Sequence, residues 1–516
     1  MPADLTPRLE DNVRTIGERL GWGESFDVLV RRIELAGRGA ALIFIDGFVK
    51  EDILTLILKT FSALQRQDLA LDPLQALSRR WLPFIETSTV TEVDAAIHQV
   101  LAGPLILLLD GVAEALVIDA RQYPTRGMAE PELERVIRGS RDGFVETIVF
   151  NTALIRRRLR DPGLRVKLFN VGRRSRTDVA LLYINDIASP HMVRLLCERI
   201  EAVDVDGLPM GEKSLEEFLV GRSSWWNPFP VVRYTERPDV AAVHLLEGHL
   251  AVVVDTSPSI ALLPITIFHH MQHAADYRED PMVGAYMRWV RGLGIGLSWL
   301  GPPLWVALTM LEPGNGVLPP WLGPREPGPI ALPLQFIMAE LGLDLVRLAL
   351  IHTPAALGTA LGLIGAVILG QIAIEVGLFA PETILYTAVA AIGTFATPSV
   401  EFAMAVRLTR VALLILVAAV GWPGLAGGAA VLGVILARMR SFGVPYLWPL
   451  WPLDPRSLLS ILVRTPAPHA RLRPRFLLPG DPDRMRRRAD PPAEEPPVPW
   501  EDGQDRASPP SGQQGS

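Results

Sequence analysis

The segment FHHMQHAADYRED (268–280) contains the side chains in this sequence that most resemble a metal site. On a helix, His269 and His273 would share one face at the i, i+4 spacing that zinc ligands use, with Asp276 one turn further along. The metalloprotease pattern requires a glutamate directly after its first histidine, and this segment has none there, so that class of enzyme is not indicated. Metal binding and packing at a surface or interface both stay open, and we assign no metal ligand.

Polar side chains within or beside long apolar segments are candidates for an ion path. Gln371 and Glu375 lie four residues apart in GQIAIEVG, on one face of a predicted helix. A carboxylate at membrane depth is costly and usually faces a bundle interior or water, although Glu375 is close enough to the helix end to reach the interface. Glu401, Arg407 and Arg410 fall between two predicted spans, where an interfacial ion-pair cluster and a polar path are alternatives. The pore-lining candidates are Gln371, Glu375 and Glu401.

The stretch RVIRGSRDGFVETIVFNTALIRRRLRDP (135–162) combines many arginines with an apolar stripe. Phe144, Ile148, Ile155 and Leu159 would line one face of a helix, and the arginines of its last turns would lie at the negative end of the helix dipole. Interleaved aromatic residues and a basic surrounding domain are both missing, so nucleic acid is not indicated as a partner. The pattern predicts a solvated helix whose arginines form an ion-pair network, either as a joint between two α/β subdomains or between subunits.

Several classes of enzyme are excluded by missing motifs. The sequence contains no G-x-x-x-x-G-K-[ST] string, has only four lysines, and has no G-x-G-x-x-G after a strand in its first half. Phosphate-cradling loops of ATP and dinucleotide enzymes need those residues. The single cysteine, Cys197, excludes a disulfide within the chain. The missing motifs therefore argue against ATP- and NAD-dependent chemistry.

Short apolar runs separated by helical patterns predict an α/β architecture for the first part of the chain. We expect a helical lead-in at 1–35, a first subdomain at 36–135 and a second at 136–285. A helix from Pro190 to about Glu201 and another that begins near Pro238 and ends before a glycine complete the second unit. The predicted buried strands are 41–47, 104–111, 114–120, 164–172, 177–186 and a run just before 259.

The second part of the chain has the composition of a membrane domain. Hydrophobic residues make up 49% of the 516 residues, and they concentrate within 286–440, which predicts an α-helical multi-pass membrane domain. We expect about four transmembrane helices, with a helix near 330–352 lying at the interface because Glu340, Asp344 and Arg347 share one face. The predicted spans are 290–311, 354–380, 381–398 and 411–437, the last crossing once with a kink or forming a hairpin.

Charges that flank the spans predict the orientation of the chain. Arg288 and Arg291 precede the first span and Arg438 and Arg440 follow the last, which places both ends in the cytoplasm. Arg407 and Arg410 oppose this topology, because four crossings would put them outside. The first residues show no apolar run typical of a signal peptide. A post-membrane segment at 441–462 and a disordered, proline- and arginine-rich tail at 463–516 complete the prediction.

Five ordered motifs resemble the GerA family of spore germination proteins. They are EPELERVIRGSRDGFVETIVFNTALIRRRLRDPGLRV, SRTDVALLYINDIA, YTERPDVAAVHLLEGHLAVVVDTSPS, GQIAIEVGLFAPE and SFGVPYLWPLWP. The resemblance runs from about Asp46 to Pro452, and the tail after Val463 lies outside it. The segments WWNPFPVVRYTERPD and FHHMQHAADYREDPMVGAYMRWVR are more similar to the stage V sporulation protein AF branch than to nutrient-receptor subunits.

The resemblance implies a multi-pass protein of the spore inner membrane that takes part in germination. It implies no enzymatic activity, so we expect no catalytic residue and no cofactor. It implies a homo-oligomer that contacts other germination proteins of that membrane and forms or gates a pore for ions. A non-conducting scaffold or modulator of other germination or dipicolinic acid channel proteins is the alternative. Family-signature positions are assigned to subunit contacts as a hypothesis. These oligomer-contact candidates are Glu130, Arg138, Arg141, Glu146, Asn151, Glu236, Arg237 and Asp239.

Overall fold

Two α/β subdomains and a helix bundle follow one another along the chain. A computed structural model shows this arrangement, and each subdomain is built on one five-stranded antiparallel sheet. The structure describes residues 4–69, 72–82, 85–123, 134, 136, 138–221, 226–311, 323, 329–351, 362 and 367–485.

The first subdomain has the strand order β1-β2-β4-β5-β3. One face of its sheet packs on α1 and α4, and the other packs on α2 and the helical segment after it. The strands are β1 (Val28–Leu35), β2 (Arg38–Ile45), β3 (Thr87–Val90), β4 (Leu105–Leu109) and β5 (Ala115–Ile118), and the helices are α1 (Leu9–Leu20), α2 (Glu51–Ser62), α3 (Pro73–Ala76) and α4 (Val93–Ala102). A π-helical turn, Leu77–Trp81, continues α3. The prediction of a helical lead-in at 1–35 is wrong in its second half, because β1 forms the edge of this sheet.

The second subdomain has the strand order β6-β7-β9-β10-β8. Its strands are β6 (Leu164–Val171), β7 (Thr177–Ile184), β8 (Arg233–Thr235), β9 (Leu250–Val254) and β10 (Ile260–Leu263), and its helices are α5 (Ile148–Arg158), α6 (Pro190–Glu201), α7 (Gly211–Val220), α8 (Pro238–Glu247) and α9 (Ile267–Met271). The predicted strands correspond to β2, β4, β5, β6, β7 and β9, and the predicted bounds of α6 are confirmed. The helix of the arginine-rich stretch begins only at Ile148.

The two subdomains are structural repeats of one another. Both have the order helix, two strands, helical segments, strand, helix and two strands, and both sheets have the same strand permutation. An asparagine in the first helix of each repeat bonds to the backbone six residues earlier. Asn12 accepts from Thr6 N at 2.9 Å and donates to Thr6 O at 2.6 Å, and Asn151 does the same with Val145 at 2.8 and 2.5 Å.

An aspartate after the fourth strand completes the repeated structure. Asp110 accepts a hydrogen bond from Leu9 N at 3.2 Å, and Asp255 accepts one from Ile148 N at 3.0 Å. In each case the carboxylate binds an amide of the first helical turn, which has no partner within its own helix. The same polar contacts therefore anchor the leading helix in both repeats.

A buried ion pair joins the two repeats. Arg156 of α5 donates from Nε and Nη2 to the two carboxylate oxygens of Asp27, both at 2.9 Å, and both side chains are buried. Glu24 extends this joint, because it accepts from Arg165 Nε at 3.0 Å and from Tyr183 Oη at 2.6 Å. The prediction that the arginine-rich stretch forms a joint between subdomains is confirmed at Arg156.

The helix bundle begins at residue 281. Its helices are α10 (Pro281–Leu311), α11 (Leu332–Ile351), α12 (Pro381–Phe395), α13 (Val400–Val420) and α14 (Trp422–Arg438), with a helical turn at Val367–Ile372 and Ala373–Glu375 before α12. Among the described residues, α10 and α13 are long and apolar enough to cross a membrane, and α14 is a shorter apolar helix. Most of the predicted span 354–380 lies outside the described residues.

The predicted span 411–437 is a helical hairpin. Gly421 has φ +72°, which ends α13, and α14 returns along it. A side chain at Gly424 would meet the backbone oxygen of Leu416 at 2.3 Å, and one at Gly428 would meet the Leu413 side chain at 2.7 Å. These glycines allow two helices to approach closely, so of the two alternatives the structure has the hairpin.

The segment after the bundle folds back on the second repeat. It contains β11 (Arg440–Ser441), β12 (Val444–Pro445) and α15 (Pro455–Leu462). Arg473 donates to Leu246 O at 2.9 Å, Gly480 N donates to Ile187 O at 2.9 Å, and Leu477 is buried. The prediction of disorder from residue 463 is therefore wrong up to 485, because these contacts order a proline-rich segment with few apolar residues. Residues 486–516 lie outside the described part.

Candidate functional site: a charge cluster inside the helix bundle

Two arginines of α13 share one glutamate of α11 in the middle of the bundle. Arg410 Nη2 lies 2.8 Å from Glu340 Oε1, and Arg407 Nε donates to Glu340 Oε2 at 3.0 Å. Arg407 also contacts Asp344 Oδ1 at 2.6 Å, and this carboxylate is partly exposed. Two positive and two negative side chains thus form a cluster without net charge, which limits the cost of removing them from water.

Arg410 also contacts α10 at a helix defect. Pro302 lies within α10 and has no N–H, so the carbonyl of Ser298, four residues earlier, lacks its helical partner. Arg410 Nη1 donates to Ser298 O at 2.6 Å and to its Oγ at 2.7 Å. The Ser298 hydroxyl lies 2.9 Å from Thr394 Oγ1 of α12. The Arg410 guanidinium of α13 therefore contacts α11 and α10 directly, and the Ser298–Thr394 hydroxyl pair extends the connection to α12.

Close helix packing positions Ser298 against Thr394. A side chain at Gly393 would lie 2.1 Å from the backbone oxygen of Gly294, so only glycine allows α10 and α12 this approach. Ser298 and Thr394 are both buried at the next helical turn. Small residues at the crossing thus bring the polar groups of two helices within hydrogen-bond distance.

The bundle has an apolar exterior around this polar interior. In α11, Glu340 is 2% exposed whereas Leu341, Leu345 and Leu348 are 59%, 61% and 56% exposed. The prediction that the polar face of α11 points to water at an interface is therefore wrong, because Glu340 points into the bundle. Arg407 and Arg410 likewise do not lie between helices, since α13 begins at Val400.

The second α/β repeat and the bundle share one hydrophobic core. Residues of β7 and β9 belong to the same buried cluster as Ile295 of α10 and Phe402 of α13. His270 of α9 stacks on Phe402 with an interplanar angle of 10°, and its Nδ1 lies 3.1 Å from Ser399 Oγ at the start of α13. Arg291 of α10 donates to the buried Asp276 at 2.8 Å. These contacts connect the second repeat to the first turn of α13 and to α10.

A polar pocket of about 190 Å³ lies at this junction and contains Glu401. Arg233 Nη2 donates to Glu134 Oε1 at 3.1 Å on its wall. Tyr234 Oη donates to Glu216 at 2.6 Å, and burial together with that carboxylate raises the pKa of the tyrosine. Acidic side chains thus concentrate where the α/β part meets the first turn of α13.

The other pore-lining candidates lie apart from the charge cluster. Gln371 Nε2 donates to Glu375 Oε1 at 3.4 Å, so the two share one face as predicted. Both side chains are exposed. Their lining of a pore stays a prediction. The charge cluster is not among the sites predicted from the sequence. Two signals for it are present in the sequence: the arginines of α13 complement the acidic face of α11, and Pro302 leaves the Ser298 carbonyl free to accept from Arg410.

The oligomer-contact candidates divide into buried and accessible residues. Asn151 is fully buried and anchors α5, and Arg237 is 1% exposed and donates to Glu134 O and Ser140 O at 3.1 Å. These two cannot contact another subunit directly in this conformation, so we correct their assignment to internal roles. Asp239 is paired with Arg237 at 2.8 Å and also with Arg278. Arg138, Arg141 and Glu146 are exposed, Glu236 is half-buried and Glu130 lies outside the described residues.

The predicted histidine face does not form. Helix α9 ends at Met271, and His273 instead begins a 3-10 turn in which its Nδ1 accepts from Ala275 N at 3.2 Å. His269 turns away from His273 and packs beside His244 and His249. The local spacing gives no signal of this group, because its members lie on separate elements.

Comparison with known proteins finds similarity over almost the whole chain. The family described as Bacillus/Clostridium GerA spore germination protein matches residues 15–476, which extends the resemblance at both ends and into the folded tail. Stage V sporulation protein AF of Bacillus subtilis (strain 168) is 46% identical over 464 residues, covering 89% of this chain and 93% of that protein. The protein named Uncharacterized membrane protein YfkQ, of the same organism, is 29% identical over 497 residues, covering 95% of each. The crystal structure of the N-terminal domain of the A subunit of the Bacillus megaterium spore germinant receptor GerK3 is similar to 51% of this chain, over 97% of its own length, at 26% identity and a TM-score of 0.40.

Proposed function

The chain belongs to the Bacillus/Clostridium GerA family of spore germination proteins, and from this premise we propose that it is a multi-pass membrane subunit of an oligomeric germination complex. In this proposal the helix bundle forms or gates a pore for ions in the spore inner membrane. Both α/β repeats and the C-terminal segment face the cytoplasm, and other germination proteins of that membrane are its partners.

The distribution of polarity in the bundle carries the membrane proposal. Leucines cover the outside of α11, and exposed leucines recur along α10 and α13, while Glu340 and Arg410 are buried between the helices. In water this arrangement would expose apolar surface and desolvate charges, both of which are unfavourable. In lipid it is the favourable arrangement, because charges within a membrane bundle face its interior. The relative YfkQ is named a membrane protein, which supports the same environment.

The continuous core between α/β part and bundle supports a gating role. A change in the second repeat would reach α13 through the His270–Phe402 contact and α10 through the Asp276–Arg291 ion pair. The polar pocket at the start of α13 lies on this route. The structure therefore offers two physical connections by which the cytoplasmic region can move helices that carry the charge cluster.

Ion flux through reconstituted protein tests the pore. The full chain is placed in liposomes that contain a potassium-sensitive dye, and wild-type protein is expected to release or admit potassium above the level of empty liposomes. Glu375→Gln is expected to reduce this flux, because it removes a fixed negative charge beside Gln371. Glu201→Gln, on the exposed surface of α6, is the matched control. Unchanged flux in Glu375→Gln would remove that residue from the pore.

Subunit contacts are tested by charge reversal. Arg138→Glu combined with Arg141→Glu is expected to lower the mass of the detergent-purified complex, because both side chains are exposed and belong to the predicted contact surface. Arg173→Glu with Arg174→Glu is the control, since these adjacent exposed arginines lie in the β6–β7 turn. An equal mass for both double variants would exclude the predicted contacts.

A scaffold without conductance is the second candidate. Its support is that Arg410 and Arg407 share the Glu340 carboxylate and that Arg410 also binds the Ser298 carbonyl of α10, as expected of a clamp between helices. A wild-type protein that conducts no potassium but co-purifies with other spore inner-membrane germination proteins would favour this function over the pore.

A further inference from the structure

Three histidines of the second repeat converge beside the start of the bundle. His244 lies in the last turn of α8, His249 precedes β9 and His269 lies in α9. Their ring centroids are 5.0 Å (His244–His249), 5.8 Å (His244–His269) and 5.1 Å (His249–His269) apart. One ring nitrogen from each lies within 4.8 Å of the other two, which brings three ligand atoms to one place.

Hydrogen bonds orient the rings of His244 and His249 as second-shell partners orient metal ligands. The ring of His269 is held by Thr266, whose backbone N donates to its Nδ1 at 3.1 Å and whose Oγ1 lies 2.9 Å away, so binding through Nε2 requires the proton to move to Nδ1 and face Oγ1. His244 Nδ1 lies 2.8 Å from Val240 O, and His249 Nδ1 lies 2.6 Å from Pro264 O. Since a carbonyl only accepts, each Nδ1 carries the proton and each Nε2 keeps its lone pair. His249 Nε2 is buried without a hydrogen-bond partner, a costly arrangement for an atom that has no ligand.

The surroundings keep the imidazoles neutral. Burial lowers the pKa of His249 to about 4, and it also lowers the pKa values of His244 and His269 well below the ordinary histidine value, with neighbouring histidines and Arg233 adding to the effect. Neutral imidazole is the form that binds a metal. Phe476 from the folded tail packs 5.8 and 5.9 Å from the rings of His249 and His269, so the tail covers the group.

A carboxylate lies next to the ring of His249. Glu247 Oε2 is 3.9 Å from His249 Nε2, and Glu247 is also paired with Arg484. Burial raises the pKa of Glu247 against the opposing effect of Arg484. The donor set of three imidazoles and one carboxylate is one that zinc accepts in tetrahedral geometry.

The first repeat shows that the fold does not require these histidines. The glycine that ends α4 donates its N–H to Gln99 O, and the glycine that ends α8 donates its N–H to His244 O. Gln99 and His244 therefore occupy equivalent positions in the two repeats. The residue after that glycine is Pro104 in the first repeat and His249 in the second. The same backbone thus forms without imidazole, so packing alone does not account for the group.

We propose that His244, His249 and His269 bind one divalent transition-metal ion of the zinc class, with Glu247 within reach as a fourth ligand. The three ring nitrogens lie within 4.8 Å of one another, and Zn–N bonds of about 2.0–2.1 Å require them to move closer together, so a bound ion would draw the rings inward. The ion joins α8 and the start of β9 to α9, next to His270 and Asp276, the residues that contact the bundle.

Cobalt titration of the full chain tests this proposal. Detergent-purified protein is treated with chelator and titrated with Co²⁺, whose visible absorption reports tetrahedral nitrogen and oxygen ligands. We expect one equivalent per chain, displaced by Zn²⁺, and a higher unfolding temperature when Zn²⁺ is added. His249→Gln and His269→Gln are each expected to weaken Co²⁺ binding by about 100-fold, at the upper end of what loss of an outer-shell partner costs.

His273→Gln is the matched control, because His273 lies four residues from His269 but outside the group. Its Co²⁺ affinity is expected to equal that of the wild type. The proposal is overturned if wild-type protein binds no stoichiometric Co²⁺, a result that does not depend on whether any variant folds. It is also overturned if folded His249→Gln, checked by circular dichroism, binds Co²⁺ as the wild type does.

Discussion

The α/β repeats and the helix bundle distribute charged and apolar side chains in opposite ways. In the repeats, every residue of β4 and β9 is buried, and ion pairs such as Arg32–Glu10 lie on the surface. In the bundle, the Arg410–Glu340 pair is buried and leucines of α11 are outside. Each region would hide from its solvent the groups that this solvent does not stabilise if water surrounds the repeats and lipid surrounds the bundle. The difference therefore supports the membrane proposal for the bundle.

Buried ion pairs occur in both regions, and in both they lie where separate units meet. Arg156–Asp27 connects the two repeats, and Arg410–Glu340 connects helices of the bundle. A buried pair adds little net stability compared with apolar packing, because desolvation offsets its attraction. We infer that these pairs specify which elements pack together, and this can be tested by removing one or both partners.

The largest effect is expected for Arg410→Met. The change leaves Glu340 buried with one arginine and leaves Ser298 O without a donor, so the free energy of unfolding should fall by about 3–5 kcal/mol. Arg410→Met with Glu340→Leu should restore most of this loss, since no unpaired carboxylate remains and Arg407 keeps Asp344. Unfolding of the detergent-purified protein measures both. Equal loss in the single and double variants would show that the pair itself stabilises the bundle.

A smaller loss of stability is expected from leucine-to-lysine changes, and it should differ between the bundle and the α/β repeats. Leu345 in α11 and Leu56 in α2 are both 61% exposed on helices. Leu345→Lys should cost about 2.5–3.5 kcal/mol if its surroundings are lipid at the helix centre. Leu56→Lys should change the free energy of unfolding by less than about 0.5 kcal/mol, as is usual at a water-exposed site. Membrane insertion and unfolding in lipid measure the difference, and equal costs would contradict separate solvents.

The same comparison explains which elements can be predicted from the sequence. Apolar runs identify β2, β4, β5, β7 and β9 because strands buried on both faces read as continuous hydrophobic segments. Strand β1 was missed because Arg31, Arg32 and Glu34 interrupt it, as an edge strand with an exposed face permits. An amphipathic pattern alone does not say which face of a helix is buried. For α11 the pattern therefore predicts charges that face water, whereas in the structure Glu340 faces the interior of the bundle.

Sites built from distant segments are beyond local patterns. The three histidines lie on separate elements, and the spacing of His269 and His273 indicated a pair that a short helix does not form. Asn151 was assigned to subunit contacts because it belongs to a family motif, whereas its counterpart Asn12 in the first repeat shows a structural role. The structural role of Asn151 is visible in the internal repeat, because Asn12 makes the same backbone contact in the first helix of the first subdomain.

The smallest effect is expected from acid titration of the α/β surface. Burial raises the pKa of Asp239, but hydrogen bonds and charges of Arg237 and Arg278 outweigh it and hold the pKa below the usual 3.8. A carboxyl with a lowered folded-state pKa stabilises the fold above about pH 4, and this contribution is lost as the pH falls through the folded-state pKa. Asp239→Asn should therefore flatten the acid loss of stability by on the order of 1 kcal/mol. Asp206→Asn, whose side chain is 61% exposed, is the control in the same repeat. An unfolding curve between pH 6 and 2 that is identical for wild type and Asp239→Asn would show that this pair, unlike the buried pairs at the joints, does not couple to folding.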